Sequence, residues 1–358
     1  MKQFHPLKVV AKVQETRDSV RIALDVPEVL RAEYAFQAGQ HVPVQIERDG
    51  RKIRRTYSLC SEQGVWPLQI GVRVQPGGVF SEFAFNELNV GDALDVMPPN
   101  GQFHATPDAG NEKNYVAFAA GSGITPILSI IATVLKGEPR SRFTLFYGNR
   151  TQGTTMFIDD LFALKNRYPD RLQLHFLFSR EEQEFEIAAG RLDDAKVREL
   201  MQHFCAGAAP DEAYVCGPDT MINTVTVTLI DLNVSADLIH SERFGANRRA
   251  IANKVTVTSN QGGEDQTRVT VLMDGHEKSF SMARGGLNIV DAAAEAGLEL
   301  PYSCKGGVCA TCRTFVEHGE VEMATNYGLE PWEVEKGFVL ACQSTPVSDE
   351  ILLNYDKT

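Results

Sequence analysis

Four cysteines toward the end of the chain constrain its fold more than any other feature. Cys304, Cys309 and Cys312 stand at C-x4-C-x2-C spacing, and Cys342 follows thirty residues later. Three thiolates on one short loop can grip a pair of bridged irons from one side, and a lone fourth closes the cage, so the spacing is that of a [2Fe–2S] centre. Gly306 and Gly307 lie inside the loop, where they let the backbone curl and aim its N–H groups at the sulfurs. A four-cysteine zinc site is the alternative. Structural zinc usually draws on two separated C-x2-C pairs, whereas here three cysteines share one loop and one stands apart.

Such a cluster moves one electron at a time and performs no chemistry alone, so the upstream chain should contain what feeds it. A length of 358 residues allows two or three domains. The net charge of −12 argues against nucleic acid, whose phosphates demand a basic face. Residues 268–358 hold seven basic and fourteen acidic side chains, so much of the excess lies around the cysteines. That surface is either simply solvated or an acidic face for a basic partner. No charged segment followed by an apolar core opens the sequence, which sets the expectation of a cytoplasmic protein. Asn114 to Leu135 lacks charge and is long enough for a membrane span, but Gly121-Ser122-Gly123-Ile124-Thr125-Pro126 interrupts it. A buried strand, a tight turn and a helix are expected there instead, with no membrane partner.

Residues 1–106 read as antiparallel β. Runs at Lys8–Val13, Val20–Val26, His41–Glu47, Ile53–Leu59 and Leu68–Val74 alternate or are β-branched, and Asp49-Gly50 and Pro76-Gly77-Gly78 mark turns. A small barrel is expected. Arg55-Thr56-Tyr57-Ser58 ends one strand: arginine can fork onto a phosphate, tyrosine can lie on an aromatic cofactor, and serine can bond its rim. Gly77, Gly78 and Ser81, at the mouth of an expected helix, offer a second phosphate cradle.

Residues 111–245 change to apolar runs separated by helices. Tyr115–Ala120, Arg142–Tyr147, Leu172–Phe178 and Ala213–Cys216 predict four parallel strands in a doubly wound α/β sheet, whose carboxyl ends bind dinucleotides. Each end carries a signal: Gly121 to Pro126, Tyr147-Gly148-Asn149-Arg150, Ser179-Arg180, and Cys216-Gly217-Pro218-Asp219. The first is not G-x-G-x-x-G, and a glycine turn that merely packs strand on helix remains open for it. Residues 246–267 read as a linker, although Val255–Thr258 has strand character. Over 268–358 a hairpin is expected around Asp274-Gly275, with a short helix at Ile289–Ala296 before the cluster loop. His41, His104, His175, His203 and His318 show no ligand spacing and receive no role, and Cys60 and Cys205 are expected to pack.

In this order the motifs resemble the ferredoxin–NADP reductase superfamily, in the branch with a plant-type ferredoxin fused at the C-terminal end. The likeness covers nearly the whole chain. Gly39-Gln40-His41, Ala120 to Pro126, Tyr147 to Thr151, Lys305 to Cys312, Thr325-Asn326-Tyr327 and Leu329-Glu330-Pro331 narrow it to reductases of multicomponent di-iron monooxygenases, of the kind found in phenylacetate catabolism. The resemblance implies an FAD-binding β-barrel over 1–106, an NAD(P)-binding α/β domain over 111–245 and a β-grasp-like α+β ferredoxin domain over 268–358. Arg55 would hold the flavin pyrophosphate, Tyr57 would stack on the isoalloxazine, Ser58 would sit beside N5, and Thr56 and Val72 would complete the pocket. Gly121, Gly123, Thr125, Pro126, Arg150, Ser179, Arg180, Cys216, Gly217 and Asp219 would receive the nucleotide, with Thr125 and Cys216 flanking the nicotinamide. Cys216 can equally be a small residue ending a buried strand. Glu242 matches an acidic residue near the flavin that helps with protons, which makes Ser58, Cys216 and Glu242 the catalytic candidates. Ser179-Arg180 can embrace a 2′-phosphate, which points to NADPH. FAD, NADPH and a [2Fe–2S] cluster are the implied cofactors, and the oxygenase component of a monooxygenase the implied partner. A Rieske-type dioxygenase or a 3-ketosteroid 9α-hydroxylase is the alternative partner, and a redox-sensing module without turnover the alternative of another class.

Overall fold

The computed structural model describes residues 3–205, 209–244 and 266–357. The chain first forms β1 (His5–Thr16), β2 (Ser19–Asp25), β3 (His41–Arg48), β4 (Arg51–Ser58), β5 (Leu68–Arg73), helix α1 (Val79–Asn86) and β6 (Ala93–Val96). They make one antiparallel sheet in the order β4-β3-β6-β1-β2-β5. Just beyond β4, Leu59 bridges Ile70 of β5, so the two edges meet and the sheet closes as the expected barrel. Alternate residues point inward: Leu7 and Val9, Val20, Ile22 and Leu24, and Leu68, Ile70 and Val72 belong to its core. Tyr34 is buried there, and its hydroxyl donates to the Val96 carbonyl at 2.6 Å, so the polar end of the ring is satisfied.

A parallel sheet follows. It is built from β7 (Asn114–Ala120), α2 (Ile124–Gly137), β8 (Arg142–Asn149), α3 (Ile158–Arg167), β9 (Leu172–Phe178), α4 (Asp194–Phe204), β10 (Glu212–Gly217), α5 (Asp219–Asp231) and β11 (Ile239–Arg243). The order is β11-β10-β7-β8-β9, with every pair parallel. Sequence predicted four strands. The fifth, β11, is an edge strand reading Ile-His-Ser-Glu-Arg, too short and polar for an apolar run to reveal it. Chain direction across the sheet reverses at β7, whose neighbours are β8 on one side and β10 on the other, so the ligand crevice lies beyond the ends of β7 and β10. The uncharged stretch from Asn114 resolves into strand, turn and helix as expected, and no helix among the described residues is long and apolar enough to cross a membrane. Pro126 falls in the first turn of α2, where its missing N–H leaves no helical bond broken.

The last part contains β12 (Gln266–Met273), β13 (His276–Ala283), α6 (Ile289–Glu295), β14 (Arg313–His318), β15 (Val321–Met323), α7 (Pro331–Glu335), β16 (Phe338–Leu340), β17 (Ser344–Pro346) and β18 (Glu350–Asn354). Five strands form a mixed sheet in the order β13-β12-β18-β14-β16. Asp274 and Gly275 both take positive φ, 52° and 73°, as a two-residue hairpin turn requires. Asn288 caps α6 by accepting the Asp291 N–H at 3.0 Å, and Ile289, Val290 and Ala293 bury against Val269, Val271 and Leu353 of the sheet. The expected linker and the strand-like Val255–Thr258 fall almost wholly on 245–265, outside the described residues. The larger of two compact units holds the parallel sheet and the barrel apart from Arg54–Thr56 of β4, which are grouped with 266–357 in the smaller.

Candidate active site

At the reversal point of the parallel sheet, the turn Gly121–Gly123 lies directly on β10. A Cβ on Gly123 would stand 2.1 Å from the Cys216 carbonyl oxygen, so only glycine permits this approach. Gly121 takes φ +56°, and its carbonyl accepts from the Tyr147 hydroxyl at 2.9 Å. Thr125 is buried and donates back to the Ser122 carbonyl at 3.0 Å, fixing the start of α2. Gly71 of β5 lets the barrel lie against this point, since a Cβ there would come within 2.8 Å of the Thr125 methyl. Arg73, at the end of β5, donates to the Thr154 carbonyl and faces Gly121. Arg73 had no role in the sequence reading, because nothing in its own strand marks it.

The barrel and the parallel sheet also share a buried polar cluster. Ser58 Oγ donates to Glu242 Oε2 at 3.1 Å, while His41 Nδ1 lies 3.2 Å from Glu242 Oε1. All three residues are buried. Cys216 pairs in register with Glu242 on the neighbouring strand, and burial, with the Glu242 charge behind it, pushes its thiol well up, so it stays protonated. Ser58, Cys216 and Glu242, singled out separately from the sequence, are thus brought together. His41, given no role from its spacing, also reaches Glu242, a partner 201 positions away and beyond any local spacing rule.

The remaining candidates lie where their elements put them. Arg55 is exposed on β4, and Thr56 and Tyr57 are half-buried, the Tyr57 ring packing on Phe80 at 5.2 Å. The Val72 side chain belongs to the barrel core, and its backbone pairs with Val20 of β2. At the mouth of α1 the Gly77 N–H donates to Glu82 and the Gly78 N–H to the Gln75 carbonyl, both at 2.8 Å, and Ser81 Oγ accepts from the Gln75 N–H at 3.0 Å. The cradle is a tightly tied turn. Arg150 and Arg180 are exposed neighbours, joined by the Arg180 N–H to the Arg150 carbonyl at 2.9 Å, and Ser179 Oγ donates to the Asn149 carbonyl at 3.3 Å. Gly217 ends β10, and Asp219 opens α5 and accepts from Arg243 at 3.1 Å. Cys60 and Cys205 are packed thiols, pushed up by burial to about 12 and about 11.

In the smaller unit, the cysteine loop bends around its own sulfurs. Cys304 Sγ accepts the N–H of Gly306 at 3.3 Å and of Cys309 at 3.4 Å, while Cys309 Sγ accepts the N–H of Cys304 at 3.4 Å. Lys305 and Ala310 hold φ +50° and Gly307 +75°, the left-handed turns that this curl needs. Residues 325–328 lie on the loop so closely that a Cβ on Gly328 would stand 2.5 Å from the Val308 carbonyl oxygen. Asn326 Oδ1 folds this cover by accepting the Gly328 and Leu329 N–H groups at 3.2 and 2.8 Å. Cys309, Cys312 and Cys342 are buried, the last two in one apolar cluster. The contact with Cys309, then backbone N–H groups working against burial, draws the Cys304 thiol below its usual range. Among the described residues no three candidate ligands converge on a single ion. Three thiols on one curled loop with backbone N–H groups aimed at the sulfurs, and a fourth apart, are the donor set of a two-iron group rather than of one tetrahedral zinc. The donors therefore suit a [2Fe–2S] group, whereas the close approach at Gly123 packs the turn onto β10.

Comparison with known proteins matches the oxidoreductase FAD-binding domain over residues 6–105, the oxidoreductase NAD-binding domain over 118–226 and the 2Fe-2S iron-sulfur cluster binding domain over 271–347. The chain is 41% identical to one of the subunits of 1,2-phenylacetyl-CoA epoxidase from Escherichia coli (strain K12), covering 99% of each. It is 30% identical to the ferredoxin reductase component of 3-ketosteroid-9-alpha-monooxygenase from Rhodococcus rhodochrous, over 98% of this chain and 96% of that one. Phthalate dioxygenase reductase, described as a modular structure for electron transfer from pyridine nucleotides to [2Fe-2S], superposes with a TM-score of 0.58 at 25% identity, covering 98% of both chains.

Proposed function

The chain belongs to the ferredoxin-fused branch of the ferredoxin–NADP reductase superfamily, whose members here are reductase components of oxygenases, and on that premise we propose that it carries electrons from NADPH to a phenylacetyl-CoA epoxidase. The 41% identity over 99% of both chains is the observation that carries the choice of partner. Between a two-electron donor and a one-electron acceptor, the chemistry a bound flavin supplies is the change from pairs to single electrons.

The protein's own groups bind, orient and handle protons. Arg55 and the turn at Gly77–Ser81 hold the flavin phosphates, with Thr56 and the Val72 backbone alongside, and Tyr57 offers its ring to the isoalloxazine. Ser58 presents its hydroxyl, with Glu242 behind it, where hydride arrives. Gly121, Gly123, Thr125, Pro126, Cys216 and Gly217 seat the nicotinamide half, and Arg150, Ser179 and Arg180 the adenosine half, with Asp219 bracing β11 through Arg243. Cys304, Cys309, Cys312 and Cys342 hold the irons. Domain limits at 1–106, 111–245 and 268–358 follow these roles, with 246–267 as the linker. A cytoplasmic setting belongs to this reading.

NADPH is favoured over NADH by Ser179 and the exposed Arg180 at the end of β9. Glu181, the next residue, accepts the Gln152 N–H at 2.6 Å. A charge-assisted contact to a 2′-phosphate is worth about 1.5–3 kcal/mol. Arg180→Ala should therefore raise KM for NADPH by roughly ten- to a hundred-fold and leave NADH nearly untouched. Equal effects on both nucleotides would refute the assignment. Reconstitution with purified oxygenase components tests the partner: product per NADPH near one is expected with phenylacetyl-CoA epoxidase, and productive coupling to a Rieske dioxygenase or 3-ketosteroid hydroxylase alone would overturn it.

A further inference from the structure

Arg21 of β2 reaches from the barrel to the start of α3. Its Nε donates to Glu15 Oε1 at 2.7 Å, its Nη1 to Asp160 Oδ1 at 3.0 Å and its Nη2 to Asp160 Oδ2, so the guanidinium forks onto one carboxylate and leans on a second. Single exposed ion pairs add little to stability, but this contact is bidentate, and the Arg21 and Glu15 side chains are only 22% and 9% exposed. Asp160 stands in the first turn of α3, where the helix dipole favours a negative charge. The same guanidinium lies over the Phe157 ring, 4.9 Å from its centroid.

Phe157 is a residue that has to be held. It precedes α3 with φ +57°, a left-handed conformation that a bulky side chain rarely adopts and that costs free energy, and no side chain caps the helix there. Glu15 braces it with its second oxygen, accepting the Phe157 N–H at 3.3 Å. The ring meets β5: a Cβ on Gly71 would stand 2.8 Å from Phe157 Cζ and 2.8 Å from the Thr125 methyl, so ring and methyl close on the same point. An arginine on the barrel thus reaches, through one aromatic ring, the neighbourhood of the residue assigned to flank the nicotinamide.

We propose that Arg21 is a positioning residue for hydride transfer: clamped between Glu15 and Asp160, it keeps the Phe157 ring seated against Gly71 and Thr125, and so sets how a nicotinamide held by the parallel sheet meets a flavin held by the barrel. This role rests on the flavin and nucleotide reading of the site and goes beyond it, since that reading gives Arg21, Glu15, Phe157 and Asp160 no task. It adds no chemical step. A misplacement of about 1 Å can cost on the order of 100-fold in rate. The groups given to nucleotide affinity, Arg150, Ser179 and Arg180, lie at other strand ends, so the clamp should act on rate and not on binding.

Arg21→Met keeps the length and apolar stem of the side chain and removes the fork, whereas Arg21→Lys keeps the charge. Single-turnover flavin reduction by saturating NADPH should slow roughly 10- to 100-fold in the first and less in the second, with flavin content and the Kd for NADP⁺ within about twofold of wild type. The long-wavelength charge-transfer absorbance of stacked flavin and nicotinamide rings should weaken in step with the rate. Reduction within about twofold of wild type in Arg21→Met would overturn the assignment. So would a loss of rate matched by a loss of bound flavin, with the charge-transfer absorbance per flavin unchanged, because Arg21 would then only stabilise the fold. Should Arg21→Met not fold, Asp160→Asn decides, since it keeps an acceptor and removes the charge: reduction at least about fivefold slower with the same spectral signature is expected, and an unchanged rate would overturn the clamp. Failure of the flavin reading itself would look different, as wild-type protein whose flavin absorbance NADPH does not bleach.

Discussion

His175 shows how partial burial and a nearby charge set the behaviour of a residue that sequence left unassigned. It lies on β9 between Phe146 and Phe204, with ring centroids 5.2 and 3.7 Å away. Burial, with the Lys165 charge adding to it, pulls its imidazolium down to about 4 from the usual 6.5. The folded protein thus prefers the neutral ring. That preference contributes stability fully above pH 6.5, and the contribution drains away as pH falls toward 4. After allowance for partial exposure it amounts to about 1 kcal/mol. Thermal melts at pH 7 and pH 4.5 should show a smaller acid-induced drop for His175→Phe than for wild type; identical drops would contradict this. Glu242 was legible only through resemblance, and its contact with His41 not at all, because it joins residues 201 apart that no pattern links.

Among elements, legibility followed period and length. The barrel strands and α2 announced themselves through alternation and an apolar face, whereas β15, β16 and β17, three residues each, left no pattern, and β11 hid behind its polar composition. The string Thr325-Asn326-Tyr327 was visible but its purpose was not: it makes the cover pressed on the cysteine loop, and Gly328 is the point of closest approach. Gly328→Ala should push this cover off the loop. It should lower cluster content and its visible absorption by at least half while leaving flavin content and ferricyanide reduction intact, as measured by iron analysis and spectroscopy. Unchanged cluster content would mean that the cover does not brace the loop. Gly123→Ala should do the opposite, because its Cβ would meet backbone of β10 at 2.1 Å, and nucleotide-dependent reduction should fail with the cluster retained.

At the scale of the molecule, three modules in order were readable because each brings its own chemistry in a short stretch: four cysteines, an Arg-x-Tyr-Ser strand end, and glycines at the end of a parallel strand. How the cluster is presented to the flavin and then to the oxygenase was not, since that depends on surfaces whose residues are scattered along the chain. Electrons should run serially, with the cluster as the only exit to the oxygenase. A fragment ending at Phe244 keeps the larger compact unit, with its flavin and nucleotide sites, and sheds the four cysteines. Cys309→Ser in the full chain removes one thiolate of the cluster and leaves the barrel untouched. The deciding measurement compares both with wild type in ferricyanide reduction and in oxygenase product formation, each with NADPH. Near-wild-type ferricyanide reduction and no oxygenase product are expected from either; substantial oxygenase turnover by the fragment would show that the flavin reduces the partner directly, and serial transfer through the cluster would be contradicted.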